Sequence, residues 1–161
     1  MIAKMMALSF AEYPFVKDFL KDAFGSEEKR MLFLEKASGM LIKTLMRKGI
    51  CFFERNDGEV RAFCILSTIE NMQPTVWDMV AGGAIGLLPS LFNKAIREFI
   101  VFYLSEAATV DYPKGKDVWY VHLFAVNPNH QGKGLGSMIM NDCVFPYVDN
   151  RQGKSIFLAT K

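Results

Sequence analysis

Leu123-Phe124-Ala125-Val126-Asn127-Pro128-Asn129-His130-Gln131-Gly132-Lys133-Gly134-Leu135-Gly136-Ser137 is the stretch on which the reading of this chain turns. Val118 to Val126 alternates and is rich in β-branched and aromatic residues, which predicts a strand; from about Gly134 to Val144 the pattern predicts a helix. Three alternating glycines between them mark backbone that something else approaches closely. A strand that feeds a glycine loop into a helix N-terminus presents unpaired N–H groups at a positive dipole end, a combination suited to phosphate oxygens. The expected ligand is a phosphate ester.

Two familiar phosphate loops fail on spacing. The dinucleotide fingerprint G-x-G-x-x-G needs a third glycine at 137 or 139, where the chain has Ser137 and Ile139. Gly153-Lys154-Ser155 reproduces the end of a P-loop, but the first glycine should stand where Val148 does, and the tripeptide enters a strand rather than a helix.

Outward from the loop, a turn at Asn150 to Gly153 and a strand Ser155 to Thr160 complete a βαβ unit with parallel strands. Upstream, Ser9 with Glu12 fits a capping box for a first helix carrying Phe15, Phe19 and Ala23, with Gly25 as its stop. Ser26 caps a second helix with Glu27 and Glu28 at its positive end, an apolar stripe through Met31, Leu34, Leu41 and Leu45, and Arg47, Lys48 and Gly49 at its close. Ile50 to Arg55 and Val60 to Thr68 flank Asn56-Asp57-Gly58-Glu59, a strong hairpin signal. A two-residue turn there sets Cys51 opposite Cys64 and Glu54 opposite Arg61. Ser90 to Ala108 reads as a helix with Phe92, Ile96, Phe99 and Tyr103 on one face, preceded by a Gly-rich apolar loop. The order predicts an α/β fold: a mixed, largely antiparallel sheet flanked by helices, with one parallel strand pair.

Composition narrows the function. At 161 residues, with 51% hydrophobic and 22% charged residues, the chain suits one globular core. A net charge of +2 gives no footprint for wrapping nucleic acid. The apolar run Met79 to Phe92 is too short to cross a membrane, which takes about 20 residues, and the N-terminus does not read as a signal peptide. A soluble, cytoplasmic protein is expected. The three cysteines, Cys51, Cys64 and Cys143, lack metal-ligand spacing and read as reduced, small buried thiols, so no metal is expected.

Gln131-Gly132-Lys133-Gly134-Leu135-Gly136 resembles the Q/R-x-x-G-x-G/A motif of the GNAT superfamily of N-acetyltransferases. The preceding Leu123-Phe124-Ala125-Val126-Asn127-Pro128, the later Gly153 to Thr160 and the order helix, helix, hairpin resemble the family as well. The resemblance implies an acyl-CoA N-acyltransferase-like fold with a splayed parallel strand pair and acetyl-CoA as cosubstrate. Its pyrophosphate would lie on the N–H groups of Gly132, Lys133, Gly134, Leu135, Gly136 and Ser137, next to Gln131, and its pantetheine arm on the strand edge at Phe124, Ala125 and Val126. Lys133 would add a charge contact. The implied reaction is direct transfer of the acetyl group to an amine acceptor.

Such a reaction needs a proton acceptor. Tyr120 and His122 alternate on one strand face, and serotonin N-acetyltransferases, which this strand resembles, carry histidines at both positions. His122 is the candidate base; its alternative is a core histidine beside a packed Tyr120. His130 reads as solvated. Glu54 and Glu70 are weaker base candidates, and Glu54 equally reads as the partner of Arg61.

The chain departs from the family at two places. It stops at Lys161, where family members usually continue with a helix and two strands, so the C-terminal elements are expected to be missing and no general acid is assigned. A stretch at about 71–117 is an insertion within an otherwise single domain, 1–161. Two alternatives follow: a binding or regulatory module that holds acyl-CoA without turnover, or a fragment of a longer enzyme. In the latter Ser155 to Thr160 is an apolar edge strand that a homodimer would cover.

Overall fold

The computed structural model describes residues 1–108, 110–113 and 115–158, without the side chains of 103, 104 and 106–108. Helices α1 (Ile2–Ala11), α2 (Pro14–Leu20) and α3 (Glu27–Leu45) precede the hairpin β1 (Ile50–Asn56) and β2 (Glu59–Thr68). Then come α4 (Val76–Gly82), a 3-10 stretch (Ala84–Phe92), α5 (Lys94–Ala108) and β3 (Val118–Val126). The chain continues through α6 (Leu135–Ile139), a π-helical turn (Met140–Val144) and α7 (Phe145–Asp149) to β4 (Ser155–Phe157). The sheet order is β1-β2-β3-β4, antiparallel except for the parallel pair β3 and β4.

Two helical layers cover the sheet because its central strands are apolar on both faces. Ala62, Cys64, Leu66, Trp119 and Val121 pack with Leu135, Ile139, Val144 and Val148. Phe63, Ile65 and Ala125 point the other way, onto Met5, Met6, Ile42 and Leu45 of α1 and α3. A third cluster, Ala7, Ala11, Val16, Leu20, Leu34 and Ile96, ties α1, α2 and α3 to α5. The mixed α/β sheet expected from the sequence is present.

Several local expectations are corrected. Ser9 does not open the first helix: it lies in the last turn of α1 and its hydroxyl donates back to Met5 C=O (3.0 Å). Pro14, which needs no N–H partner at a first helical position, starts α2. Ser26 does cap α3, accepting from Lys29 N–H (3.3 Å). The hairpin pairs Asn56 with Glu59 and Arg55 with Val60 as the turn requires, but a bulge then shifts the register. Arg61 is the extra residue, so Cys51 faces Ile65 rather than Cys64, and the three thiols are free. Burial pushes the Cys64 thiol up to about 12 and Cys51 up to about 11. Arg61 still reaches Glu54 as an ion pair, through Nε (2.7 Å) and Nη2.

The apolar loop preceding α5 is largely helical. Thr75 and Asp78 form a capping box that starts α4, and Arg47 (2.9 Å) and Lys48 (3.1 Å) bind the Asp78 carboxylate, fastening the segment to the end of α3. Helix α5 starts after Asn93, whose carbonyl Oδ1 accepts from Ala95 and Ile96 N–H, so Phe92 falls outside it and is 90% exposed. The side chain of Tyr103 lies outside the described ones. The helix predicted to end near Val144 runs on to Asp149, because the π-helical turn admits Pro146, which has no N–H to donate. Strand β4 ends at Phe157; Ala159 and Thr160, assigned to it from the sequence, lie outside the described residues.

Candidate active site

Strand β3 changes character along its length. Val118, Trp119 and Tyr120 pair with β4 on one side and β2 on the other. Pairing with β4 stops at Tyr120 and Phe157, whereas pairing with β2 continues to Val126. The change coincides with a bulge: Ile65 faces Leu123 and Leu66 faces Val121, leaving His122 as the extra residue. A bulge bends its strand and increases local twist, which is what parts two neighbouring strands. Phe124, Ala125 and Val126 therefore lie on a strand segment hydrogen-bonded on the β2 side, with the other edge unpaired by any described strand.

The open edge runs into the glycine loop. Gly132 and Gly134 both have φ of +74°, a left-handed backbone that disfavours a side chain. Gly136 serves close packing instead: a Cβ there would sit 3.1 Å from the Phe124 ring. Leu135 is buried and anchors the start of α6. The first bond into that helix runs from Met138 N–H to Gly134 C=O (2.9 Å), so the N–H groups of Leu135, Gly136 and Ser137 have no acceptor within it. Since α6, the π-helical turn and α7 follow one another with right-handed helical junctions, these N–H groups head a rod running to Asp149.

A polar network that the sequence reading missed holds the loop. Asn127, buried at the end of β3, donates from Nδ2 to Glu59 Oε1 (2.8 Å) and accepts from Asn129 N–H (3.0 Å). His130, expected to be solvated, sits between Glu59 Oε2 (3.2 Å) and Lys133 Nζ (3.3 Å). Lys133 also donates to Asn129 C=O (3.4 Å), and Gln131 Nε2 donates to Val126 C=O (3.3 Å), folding both side chains back onto the loop. Glu59 lies at the hairpin turn, 68 residues before Asn127, so only the paired register of β2 and β3 brings them together.

Tyr120 and His122 do meet. Their rings are edge to face, with centroids 4.8 Å apart, and Tyr120 stacks on Phe157 (5.9 Å) where the strands part. His122 Nε2 lies 2.9 Å from the hydroxyl of buried Ser67, and Ser67 donates its proton to Thr68 C=O (3.0 Å). The tautomer that fits this arrangement has Nε2–H donating to Ser67 and Nδ1 as the lone-pair nitrogen. Burial lowers the His122 pKa to about 4, so the ring is neutral at pH 7. Of the weaker candidates, Glu54 is committed to Arg61, which lowers its pKa, and Glu70 is exposed beyond the end of β2.

The parallel strands thus part beside a left-handed glycine loop. The profile of the acetyltransferase (GNAT) family matches residues 13–161, and the chain belongs to that family of acyltransferases. No curated protein matches. Among solved structures, a point mutant of the BH1408 protein from Bacillus halodurans is similar at 14% identity with a TM-score of 0.46, covering 98% of this chain and 75% of that one. Among the described residues no helix is long and apolar enough to cross a membrane.

Proposed function

We propose that the chain transfers an acetyl group from acetyl-CoA to a primary amine. One observation carries the reading: β3 loses its second partner at Tyr120, and the edge freed there leads, through a 3-10 turn at Pro128–His130, to the left-handed loop at Gly132 and Gly134. From Tyr120 to Val126 the strand rises about 20 Å, a length that suits an extended, amide-bearing arm completing the ladder as an added strand would. The N–H groups of Gly132 to Ser137 then meet the pyrophosphate, and Lys133 can leave Asn129 and His130 for a phosphate oxygen. The CoA thioester supplies the acyl group.

The reacting end of the arm falls at Tyr120, His122 and Phe157. The acceptor nitrogen bonds to the acyl carbon as the carbon–sulfur bond breaks, and the proton lost by nitrogen balances the charge left on sulfur. His122 Nδ1 is the proposed proton acceptor, with Ser67 fixing the ring and Tyr120 packing its side. The low pKa of His122 favours one second reading, a module that binds acyl-CoA without turnover, because a weak base moves few protons at neutral pH. In the main reading residues 1–161 act as one domain with 71–117 inserted, in the cytoplasm, and the outer edge of β4 is where a second copy would pair. A thermal-shift comparison tests the ligand: acetyl-CoA and CoA raise the melting temperature while NADH and ATP do not. Thiol release with a panel of amines separates the enzyme from the silent module.

A further inference from the structure

The inserted segment returns to the sheet beside the point where β3 and β4 part. Tyr112 packs edge to face on both Tyr120 (5.3 Å) and Phe157 (6.0 Å), the last paired couple of the two strands. Tyr112 also lines a cleft of about 490 Å³, with Ile69, Glu70, Met72 and Lys116 among the other lining residues. One wall thus comes from the end of β2 and the other from the return of the insertion. Gly115 is required at the bend of that return: its φ is +149°, and a Cβ would lie 3.0 Å from Asp117 Oδ1 and 3.2 Å from Val118.

The charges in the cleft are set apart. Several acids and bases near the sheet ends are paired: Asp117 binds Lys154 (2.8 Å), Glu54 binds Arg61, and Asp78 binds Arg47 and Lys48. Glu70 and Lys116 face one cleft without an ion pair to each other or to any described residue. One negative and one positive group, with Ile69, Met72 and the Tyr112 ring around them, complement a small molecule that is itself dipolar and part apolar.

We propose that this cleft receives the acyl acceptor, and that the acceptor is a small amphoteric primary amine of the amino-acid type, its ammonium drawn by Glu70 and its acid group by Lys116. The inference rests on the transferase reading above and adds the acceptor class. Glu70 gathers the cation and Lys116 excludes a second one, so simple amines and diamines fit less well. At transfer the ammonium first gives one proton to the surroundings; the neutral nitrogen then forms the N–C bond, the C–S bond breaks, and the nitrogen's surplus proton leaves to balance the thiolate.

Binding decides this without turnover. The probes are apolar and aromatic amino acids, their amides and the matching decarboxylated amines, titrated by NMR into the protein with CoA present and again without it. The best amino acid is expected to bind at least 10-fold tighter than its amide and its amine. In Lys116→Met that preference should vanish, and in Glu70→Gln all three should weaken, with CoA affinity unchanged in both variants. Both side chains are exposed, so the variants should fold, and melting temperature checks that. Equal or weaker binding of the amino acids, no binding by any of them, or a preference that survives Lys116→Met overturns the proposal. Absence of CoA binding with the amino-acid preference intact counts against the transferase reading alone.

Discussion

The two halves of β3 carry the same kind of sequence and do different work. Val118 to Tyr120 is an interior strand, paired on both sides, with Trp119 buried between the sheet and α7. Past the bulge at His122 the same strand is paired on one side and leads, after a 3-10 turn, to backbone at Gly132 and Gly134 that glycine adopts most easily. The first half holds the molecule together; the second leaves one edge without a described strand partner. Edge backbone of this kind is a liability in a protein with nothing to put there, and the residues that tie the region down do so from outside the edge: Ser67 on His122, Glu59 on Asn127 and His130.

If the boundary between the halves is where chemistry occurs, His122→Asn should produce the largest change. The acetyl-transfer rate should fall about 10²-fold, the usual scale for a positioned proton acceptor, with CoA affinity unchanged. The same variant carries a stability signature. Burial holds the folded His122 pKa near 4, below the ordinary 6.5 of the unfolded chain. Between those values the unfolded state binds the proton and the folded state does not, so the wild type loses stability as pH falls from 6.5 to 4. His122→Asn should lack that part of the loss in acid denaturation curves. An unchanged rate per folded molecule would return His122 to a purely structural role.

Next in size is Gly134→Asp, which should weaken CoA binding at least tenfold, about 1.4 kcal/mol or more, by setting a carboxylate where a pyrophosphate is proposed. A Cβ at Gly134 meets nothing within 4 Å, so the fold pays only for the left-handed φ, about 1 kcal/mol. Gly153→Ala is the converse control. Its Cβ would collide with Val148 and the Trp119 ring, so it should lower the melting temperature far more than it changes ligand affinity. Affinity lost equally in both would erase the difference between the halves.

Much of this contrast is legible in sequence because its signals are local. Alternation marks β3, three glycines mark the loop, and Asn56-Asp57-Gly58-Glu59 marks the hairpin; each depends on φ or on a short period. What escaped depends on partners far along the chain. Ser67 alternates like any strand residue, and nothing near Glu59 shows that it will brace a loop 68 residues later. Bulges were invisible for the same reason, since the residue skipped at Arg61 or His122 is chosen by packing across the sheet. Within 71–117 the glycines and Pro89 masked α4, whose Thr75–Asp78 box is a local signal that could have been read.

Smaller effects are expected away from the edge itself. Glu59→Gln removes the charge that pairs with Asn127 and His130, and should weaken CoA binding about fivefold, the scale of one net hydrogen bond of about 1 kcal/mol, in calorimetric titration. Asp78→Asn breaks the capping box and the contacts to Arg47 and Lys48. It should lower the melting temperature and leave CoA affinity and acyl transfer unchanged; an effect on CoA affinity would show that α4 is coupled to the proposed ligand edge.

The most direct test follows the backbone itself. Amide hydrogen exchange is measured for β3 in the free protein, with acetyl-CoA, and with adenosine 3′,5′-bisphosphate, which lacks the pantetheine arm. Acetyl-CoA should slow exchange at the unpaired amides of Val121 to Val126 and in the loop at Gly132 to Ser137, leaving Val118 to Tyr120 as protected as before, while the arm-less compound leaves Val121 to Val126 untouched. Tight binding of acetyl-CoA with no added protection between Val121 and Val126 would contradict the account.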